Sequence, residues 1–536
     1  MSVRRLISFG LLLAFLCLGI VLFGTPLLAQ TAYYVNTAAA AGGDGTTQEL
    51  TGEHCAWDTV ADVNAFMASF ANGDSVLFNR GCTWQESLII TKTGLTDYLT
   101  FGAYGTGAKP KIWQAGGGAI AVTCTAANVA YIHLDNLEVY TVRTTGNNGA
   151  IVFSADNLSH IWISNILVSQ STQNGIFLQR INTYLLEDST VHDCDNSNIV
   201  VYGSATYKIT NGIIRRCISY NSYLNDTITI HEDDSSNGTG PNHLIEDCEC
   251  YNSYEGGIDL NRTSYVTVRG CYCHDNSQGS FQLGTADHIV IENSWSVESS
   301  IGTVNNALDI GINCSDITVR YCIFYYTKGN IVFAMGTTGG GTISNVYFYN
   351  NVAITTNNLA VLLAVSFGTQ TGLYVKNNIF INLAATPGTS WVKYNNALQD
   401  PSDVGSYWDY NHYYVVNLES TKAKWYSAKT TLVYTYASWK STWSQDAHSS
   451  LTRTVDPLLI NGSTDWSLDT DFQIPTGSPC KDAGVDVGLT EDYAGNPIVG
   501  LPDIGAYEYQ PPGEDDSIIK QIIKVIIKTI IKSPIK

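Results

Sequence analysis

The chain has 536 residues, room for two or three ordinary domains or for one long repeat array. Only 14% of them are charged and the balance is −20, which excludes nucleic acid as a partner because phosphate binding needs a basic face. The acidity admits Ca²⁺ and neutral glycans, and it fits a polyanionic substrate only through a bridging metal or a local basic cluster.

Residues 1–30 have the form of an export signal: Arg4 and Arg5, an uncharged apolar run over 6–24, then a small-residue exit near Ala29. That run is also long enough for an uncleaved membrane anchor. Both readings predict an extracytoplasmic location, secreted or on the cell surface. Segment 31–128 reads as an N-terminal cap with the first coils of an array. Within it, Val60, Val63, Phe66, Met67 and Phe70 recur at helical spacing over 59–70. Short strands are expected over 31–36, 73–90 and 99–113.

Segment 129–385 repeats. EDCECYNSYEGGIDL (246–260) is followed 23 residues later by RGCYCHDNSQGSFQL (269–283). The residue that opens each unit falls at Asp135, Ser164, Glu187, Arg215, Glu246, Arg269, Glu292, Arg320, Tyr349 and Lys376. Each unit holds two or three short alternating runs split by Asn, Asp, Ser or Gly, with no helical pattern inside. That is the sequence form of a parallel β-helix coil, and ten coils about 4.8 Å apart make a rod of roughly 50 Å. Two positions on, the units read Leu137, Ile166, Ser189, Cys217, Cys248, Cys271, Ser294, Cys322, Asn351 and Asn378. Two further on they read Val139, Val168, Val191, Ser219, Cys250, Cys273, Ser296 and Phe324. Small or apolar residues falling on their like at period two predict an inward ladder, with its cysteines as small buried hydrophobes. Cys55 and Cys82 lie outside that ladder and are the pair expected to form a disulfide.

Segment 386–510 is Tyr/Trp-rich and reads as an irregular closing segment. Segment 511–536, with Lys520, Lys524, Lys528 and Lys532 between Ile pairs, reads either as a cationic amphipathic helix for membrane or surface attachment or as a disordered tail. The stretch GDSVLFNRGCTW with FGAYGTGAKPKI resembles the beginning of secreted bacterial right-handed parallel β-helix repeat proteins of the pectate-lyase-like superfamily. Trp439, Asp446, His448, Ser449, Asp456-Pro457, Ser478-Pro479, Asp482, Gly484, Asp503, Gly505 and Glu508 resemble their ending. The likeness covers about 31–509. It implies an all-β, single-stranded right-handed parallel β-helix with an N-terminal helical cap. It does not specify a reaction, since such proteins include lyases, hydrolases and epimerases.

The last strand of each unit reads IFLQ (176), IVVY (199), ITIH (228), IDLN (258), FQLG (281), LDIG (308) and IVFA (331). Its second residue points outward because the flanking residues are apolar. It is plain at Phe177, Val200 and Val332. In four consecutive units it is Thr229, Asp259, Gln282 and Asp309, and the fourth position adds His231 and Asn261. This polar run predicts a polysaccharide groove. Asp259 and Asp309, two coils and about 9.6 Å apart in backbone, suit the carboxylate pair of an inverting glycoside hydrolase. A polysaccharide lyase fits as well, with His231 or Arg262 as base and Glu232, Asp233, Asp234 and Asp259 holding Ca²⁺ by oxygen ligation. His274 and Asp275 at a turn are weaker candidates. The third reading is a non-catalytic adhesin or glycan-binding rod whose aromatic segment, including Trp408 and Tyr410, stacks on sugars.

Overall fold

The computed structural model describes residues 30–115, 119–142, 149–203, 209–231, 242–298, 306–326, 331–336, 341–356, 361–365, 368–383, 392–394, 399–415, 425–452, 455–460 and 469–510. The export signal up to residue 29 and the cationic tail from 511 lie outside the described residues. Among the described residues, no helix is long and apolar enough to cross a membrane.

One coil illustrates the rest. Gly256–Asn261, Ser264–Arg269 and Tyr272–His274 form its three sides, separated by short corners. Alternation turns Ile258, Leu260, Val266, Val268 and Cys273 inward, where they are buried. Each side pairs in parallel with its counterpart in the next coil, so the coils build three stacks. The third stack has fourteen strands, which makes a rod of about 60 Å at about 4.8 Å per coil. This is the expected parallel β-helix, longer than the ten coils counted from the sequence.

The expected register is the observed one. Asp135, Ser164, Glu187, Arg215, Glu246, Arg269, Glu292, Arg320, Tyr349 and Lys376 are direct partners in successive coils. From Glu187 to Arg320 the column alternates in sign. Arg215 pairs with Glu187 at 2.7 Å, Arg269 with Glu246 at 2.5 Å and Arg320 with Glu292 at 2.6 Å. Partly exposed pairs of this kind stabilise by at most about 1 kcal/mol each. Their larger effect is on register, since a slip by one coil would stack like charges.

The inner ladder also stands as expected, with every member at both positions buried. At the corner between the second and third stacks a left-handed residue such as Asp247 (φ 52°) or Asn350 (φ 54°) turns the chain. The following residue points inward, and its side chain takes over hydrogen bonds that the corner breaks. Asn351, Asn378 and Asn411 each accept the backbone N–H of the ladder residue one coil earlier, at 2.9, 3.0 and 3.1 Å. Ser189 and Ser294 do the same for Ile166 and Cys271. Cysteine thiols at this position instead donate to carbonyls of the preceding coil, as Cys271 Sγ does to Ile245 at 3.6 Å.

The expected Cys55–Cys82 disulfide does not form: all twelve cysteines among the described residues are free thiols. Cys55 Sγ is turned to the Ala40 carbonyl at 3.4 Å, whereas Cys82 Sγ accepts from the Thr37 hydroxyl at 3.2 Å.

Coils lie on both sides of residues 128 and 385. The second stack begins at Ala32–Val35. It continues to Tyr407–Asp409, and the third stack continues through His412–Val415 to Ser450–Thr452. The Tyr/Trp-rich stretch is therefore the last coils and their plug. Trp408, Tyr413, Trp425 and Trp439 are buried there. Asp446, also buried, accepts from Trp439 Nε1 at 2.9 Å, Asn411 Nδ2 at 3.2 Å, the Ser449 hydroxyl at 2.6 Å and the Tyr413 hydroxyl at 3.2 Å. The first stack ends in a reversal, where Trp425–Ser427 pairs antiparallel with Leu432–Tyr434.

At the other end the expected helix is Val60–Phe66, followed by a 3-10 turn, Met67–Ser69. Thr59 caps it and Asp62 closes a capping box. Val60, Val63, Met67 and Phe70 are buried against the first coils. Beyond residue 455 the chain folds back along the third stack, packing Leu459, Phe472, Ile474, Ile504 and Tyr507 on Ile323, Val352, Ile354, Ile379 and Ile381. The corner asparagines hold it: Asn350 Nδ2 donates to the Asp503 and Gly505 carbonyls at 3.0 and 3.2 Å, and Asn293 Nδ2 to Tyr493 at 2.7 Å. The outer face of the third stack is thus covered over its C-terminal half.

Candidate active site

The first stack carries the outward column expected from the sequence. Phe177, Val200, Thr229, Asp259, Gln282 and Asp309 are direct partners on successive coils. The next partner is Ala334 and not Val332, because Ile331 pairs with Asn306, two residues earlier than the sequence alignment placed it. A slip of two keeps the same face outward, so the column still ends in a small apolar residue. Thr229 is mostly covered, with its hydroxyl 3.4 Å from Asp226 Oδ2. Asp259, Gln282 and Asp309 are half-buried. His231 and Asn261 form the neighbouring outward column, continuing from Gln179 and Tyr202. The His231 ring lies 5.2 Å from that of Tyr202.

Other expected residues stand elsewhere. Arg262 occupies a left-handed corner (φ 51°), exposed, with its backbone N–H donated to the Gly284 carbonyl at 2.6 Å. Trp408 is 1% exposed, against Trp439 at 6.0 Å, so it has no ring face to offer a sugar and is a core residue. Tyr410 lies on a corner of the other edge, stacked on His448 at 4.7 Å. His274 is on the third stack, packed against Tyr251 at 4.7 Å and paired with Asp275 at 2.9 Å. Glu232, Asp233 and Asp234, the expected calcium ligands, lie outside the described residues.

The structure adds acids that the column pattern missed. Asp226 is buried one coil before Asp259, where its Oδ1 accepts the Gly256 N–H at 2.7 Å. Gly256 leaves the space: a Cβ there would sit 3.0 Å from both Asp226 Oδ1 and the Gln282 amide carbon. Burial pushes Asp226 up to about 7, with the Glu255 charge adding and the Gly256 N–H opposing. Asp259 is pushed well above the usual carboxylate range by burial, then by the charges of Asp226 and Glu255. Burial raises Glu255 as well. On the far side of Gln282, Asn306 Nδ2 donates to Asp309 Oδ2 at 3.2 Å. Asp226 and Asn306 both lie two residues before the buried Ile228 and Leu308, ahead of the alternating run, where the period-two pattern does not say which way a side chain turns.

Chemically, this face presents a carboxyl cluster that retains a proton near neutrality, an amide, and a further carboxylate two coils away. Among the described residues one Asp/His group has metal-ligand spacing, Asp287, His288 and Asp316. It lies on the second stack, where His288 Nδ1 meets Asp287 Oδ2 at 2.7 Å and Asn345 donates to Asp316 at 2.9 Å.

Comparison with known proteins places the fold. The family described as "Right handed beta helix region" matches residues 218–380. The structure is similar to that of XylC in complex with xylose, at 11% identity and a TM-score of 0.50, over 90% of this chain and 99% of that one. It is also similar to pectate lyase Pel9A (14% identity, TM-score 0.39, 90% of this chain and 97% of that one). The GH136 lacto-N-biosidase from Eubacterium ramulus matches at 13% identity and a TM-score of 0.40, over 72% of this chain and 64% of that one, so this chain spans less than two thirds of its length. No curated protein matches by sequence. The protein is a right-handed parallel β-helix.

Proposed function

We propose that the protein cleaves a polysaccharide on the outer face of its first stack by general acid–base hydrolysis. The observation that carries this is the placement of Asp259 beside Asp226 on one side of Gln282, with Asp309 on the other side. Two carboxyl groups close together in a half-buried groove cannot both ionise, so one stays protonated and can donate to a leaving oxygen. Asp259 is the acid in this reading, held protonated first by burial and then by its acidic neighbours. Asp309, steadied by the Asn306 amide, activates water. Two coils separate their backbones by about 9.6 Å, near the upper end of the inverting range of about 6.5–9.5 Å between carboxyl groups.

Gln282, Asn261 and Thr229 then orient sugar hydroxyls. The proposal keeps the chain in the carbohydrate-directed class of the neighbours' names, on the strength of its own carboxylates rather than of the likeness.

The test is incubation of the exported protein with a polysaccharide panel, with and without EDTA. New reducing ends, without ultraviolet-absorbing unsaturated ends and indifferent to EDTA, are the expected result. Asp259→Asn and Asp309→Asn should each lower kcat by about 10²-fold or more. Unsaturated products mean elimination, and retention on a glycan without product means a binding rod. Full activity in both variants removes this groove from consideration.

A further inference from the structure

We infer that the groove takes an uncharged glycan, held by Tyr254 and Tyr202 at its two edges, and rejects uronic-acid polymers. This rests on the hydrolytic reading of the same face and adds its substrate class. Asp226, Glu255, Asp259 and Asp309 gather on adjacent coils of one face. On the first-stack strands that carry these acids, from Ile228–His231 to Asn306–Ile310, the basic side chain is His231, and Arg262 sits at the corner after Asn261. A uronan brings one carboxylate per sugar. Each would meet acids on strands that, among the described residues, carry no lysine or arginine, and like charges brought together there are strongly repelled.

The same two carboxyls, held towards the protonated form by burial and then by neighbouring carboxylates, would be pushed further in that direction by an anionic ligand. A neutral sugar adds no such charge, and its hydroxyls can both donate to Asp309 and accept from Asp259.

The second observation is aromatic and independent of charge. Tyr254 is 57% exposed, unusually so for a tyrosine, and directly precedes Glu255 at the corner from the third stack into the first. Tyr202 closes the strand Ile199–Tyr202 at the opposite edge, half-buried, with its ring 6.5 Å from Phe177 and 5.2 Å from His231. The strand holding Tyr202 lies two coils, about 9.6 Å, from that of Asp259. Phenol rings on either side of an acid cluster offer apolar faces to the C–H faces of pyranose rings and hydroxyls to their edges.

The experiment compares the full chain on xylan, galactan and β-glucan with polygalacturonate and alginate, by reducing-end release at matched mass. Cleavage is expected on at least one neutral glycan, with kcat/KM on either uronan at least about 100-fold lower. Tyr254→Ala and Tyr202→Ala should each raise KM several-fold on the neutral glycan while kcat stays within about threefold; a purely structural role would lower kcat and thermal midpoint together.

The failures separate. A uronan cleaved best, in a reaction lost in Asp259→Asn, keeps the catalytic face and overturns the neutral class. Neutral-glycan cleavage that survives Asp259→Asn overturns the catalytic face and this inference with it. If no glycan in the panel is cleaved by the wild type or retained by Asp259→Asn, both fall.

Discussion

The proton held at Asp226 can be read in stability as well as in chemistry. An ordinary aspartate titrates near 3.8, and here burial moves it to about 7. At about 1.4 kcal/mol per pH unit, that difference is about 4 kcal/mol of preference for the protonated form. The folded chain therefore keeps a proton that the unfolded chain has released between those two values. Stability falls as pH rises through this window, and the full cost is present above pH 7. Asp226→Asn cannot ionise, yet its Oδ1 still accepts the Gly256 N–H. The substitution should leave stability unchanged near pH 4 and raise it at pH 8.

Asp259 and Glu255 titrate in the same cluster and keep part of the penalty, so a gain of about 2 kcal/mol is expected rather than 4. Thermal unfolding of wild type and variant at pH 4, 6 and 8 measures it, with a rise of about 2–4 °C confined to the higher pH. Equal destabilisation of Asp226→Asn at pH 4 and pH 8 would refute the reasoning, because it would mean a carboxylate that is ionised and needed as such.

The internal asparagines make a second target. Asn378→Ala removes the acceptor of the Asn351 N–H and donors to the Phe348, Lys376 and Asn411 oxygens, and it should cost about 2–4 kcal/mol in a denaturant or thermal midpoint. Thiol accessibility is a third. Under native conditions iodoacetamide should label half-exposed Cys82 well before Cys124 or Cys322, whose thiols burial pushes up to about 12, as peptide mass spectrometry would record. Glu292→Ala, at the outer charge column, should shift the thermal midpoint by no more than about 1 kcal/mol supports, whereas Glu292→Lys, facing Arg269 and Arg320, should lower it further.

The repeat and its register were legible because corner chemistry and charge recur at one position per coil. Glu187 through Arg320 could be aligned by eye, and every pairing holds in the structure. The column from Thr229 to Asp309 was legible for the same reason, since period-two alternation says which side chains face out. Asp226 was not, because it stands at a corner before the alternating run, where sequence alone does not say which way a side chain turns. Ile331 was misplaced by two residues because an apolar run of even spacing looks the same in either register. The plug misled most: Trp408 reads as a sugar-stacking surface aromatic, yet the open end of a β-helix is a wide apolar cross-section that large rings such as Trp408 and Trp425 fill.

The reversal at Leu432–Tyr434 has a consequence for the molecule among its neighbours. A stack of parallel strands ending in an open edge is a template, and the first strand of another copy could extend it indefinitely. Here the last strand of the first stack is already paired, and paired the wrong way round for such growth. A second copy therefore cannot extend the first stack in the parallel sense at that end.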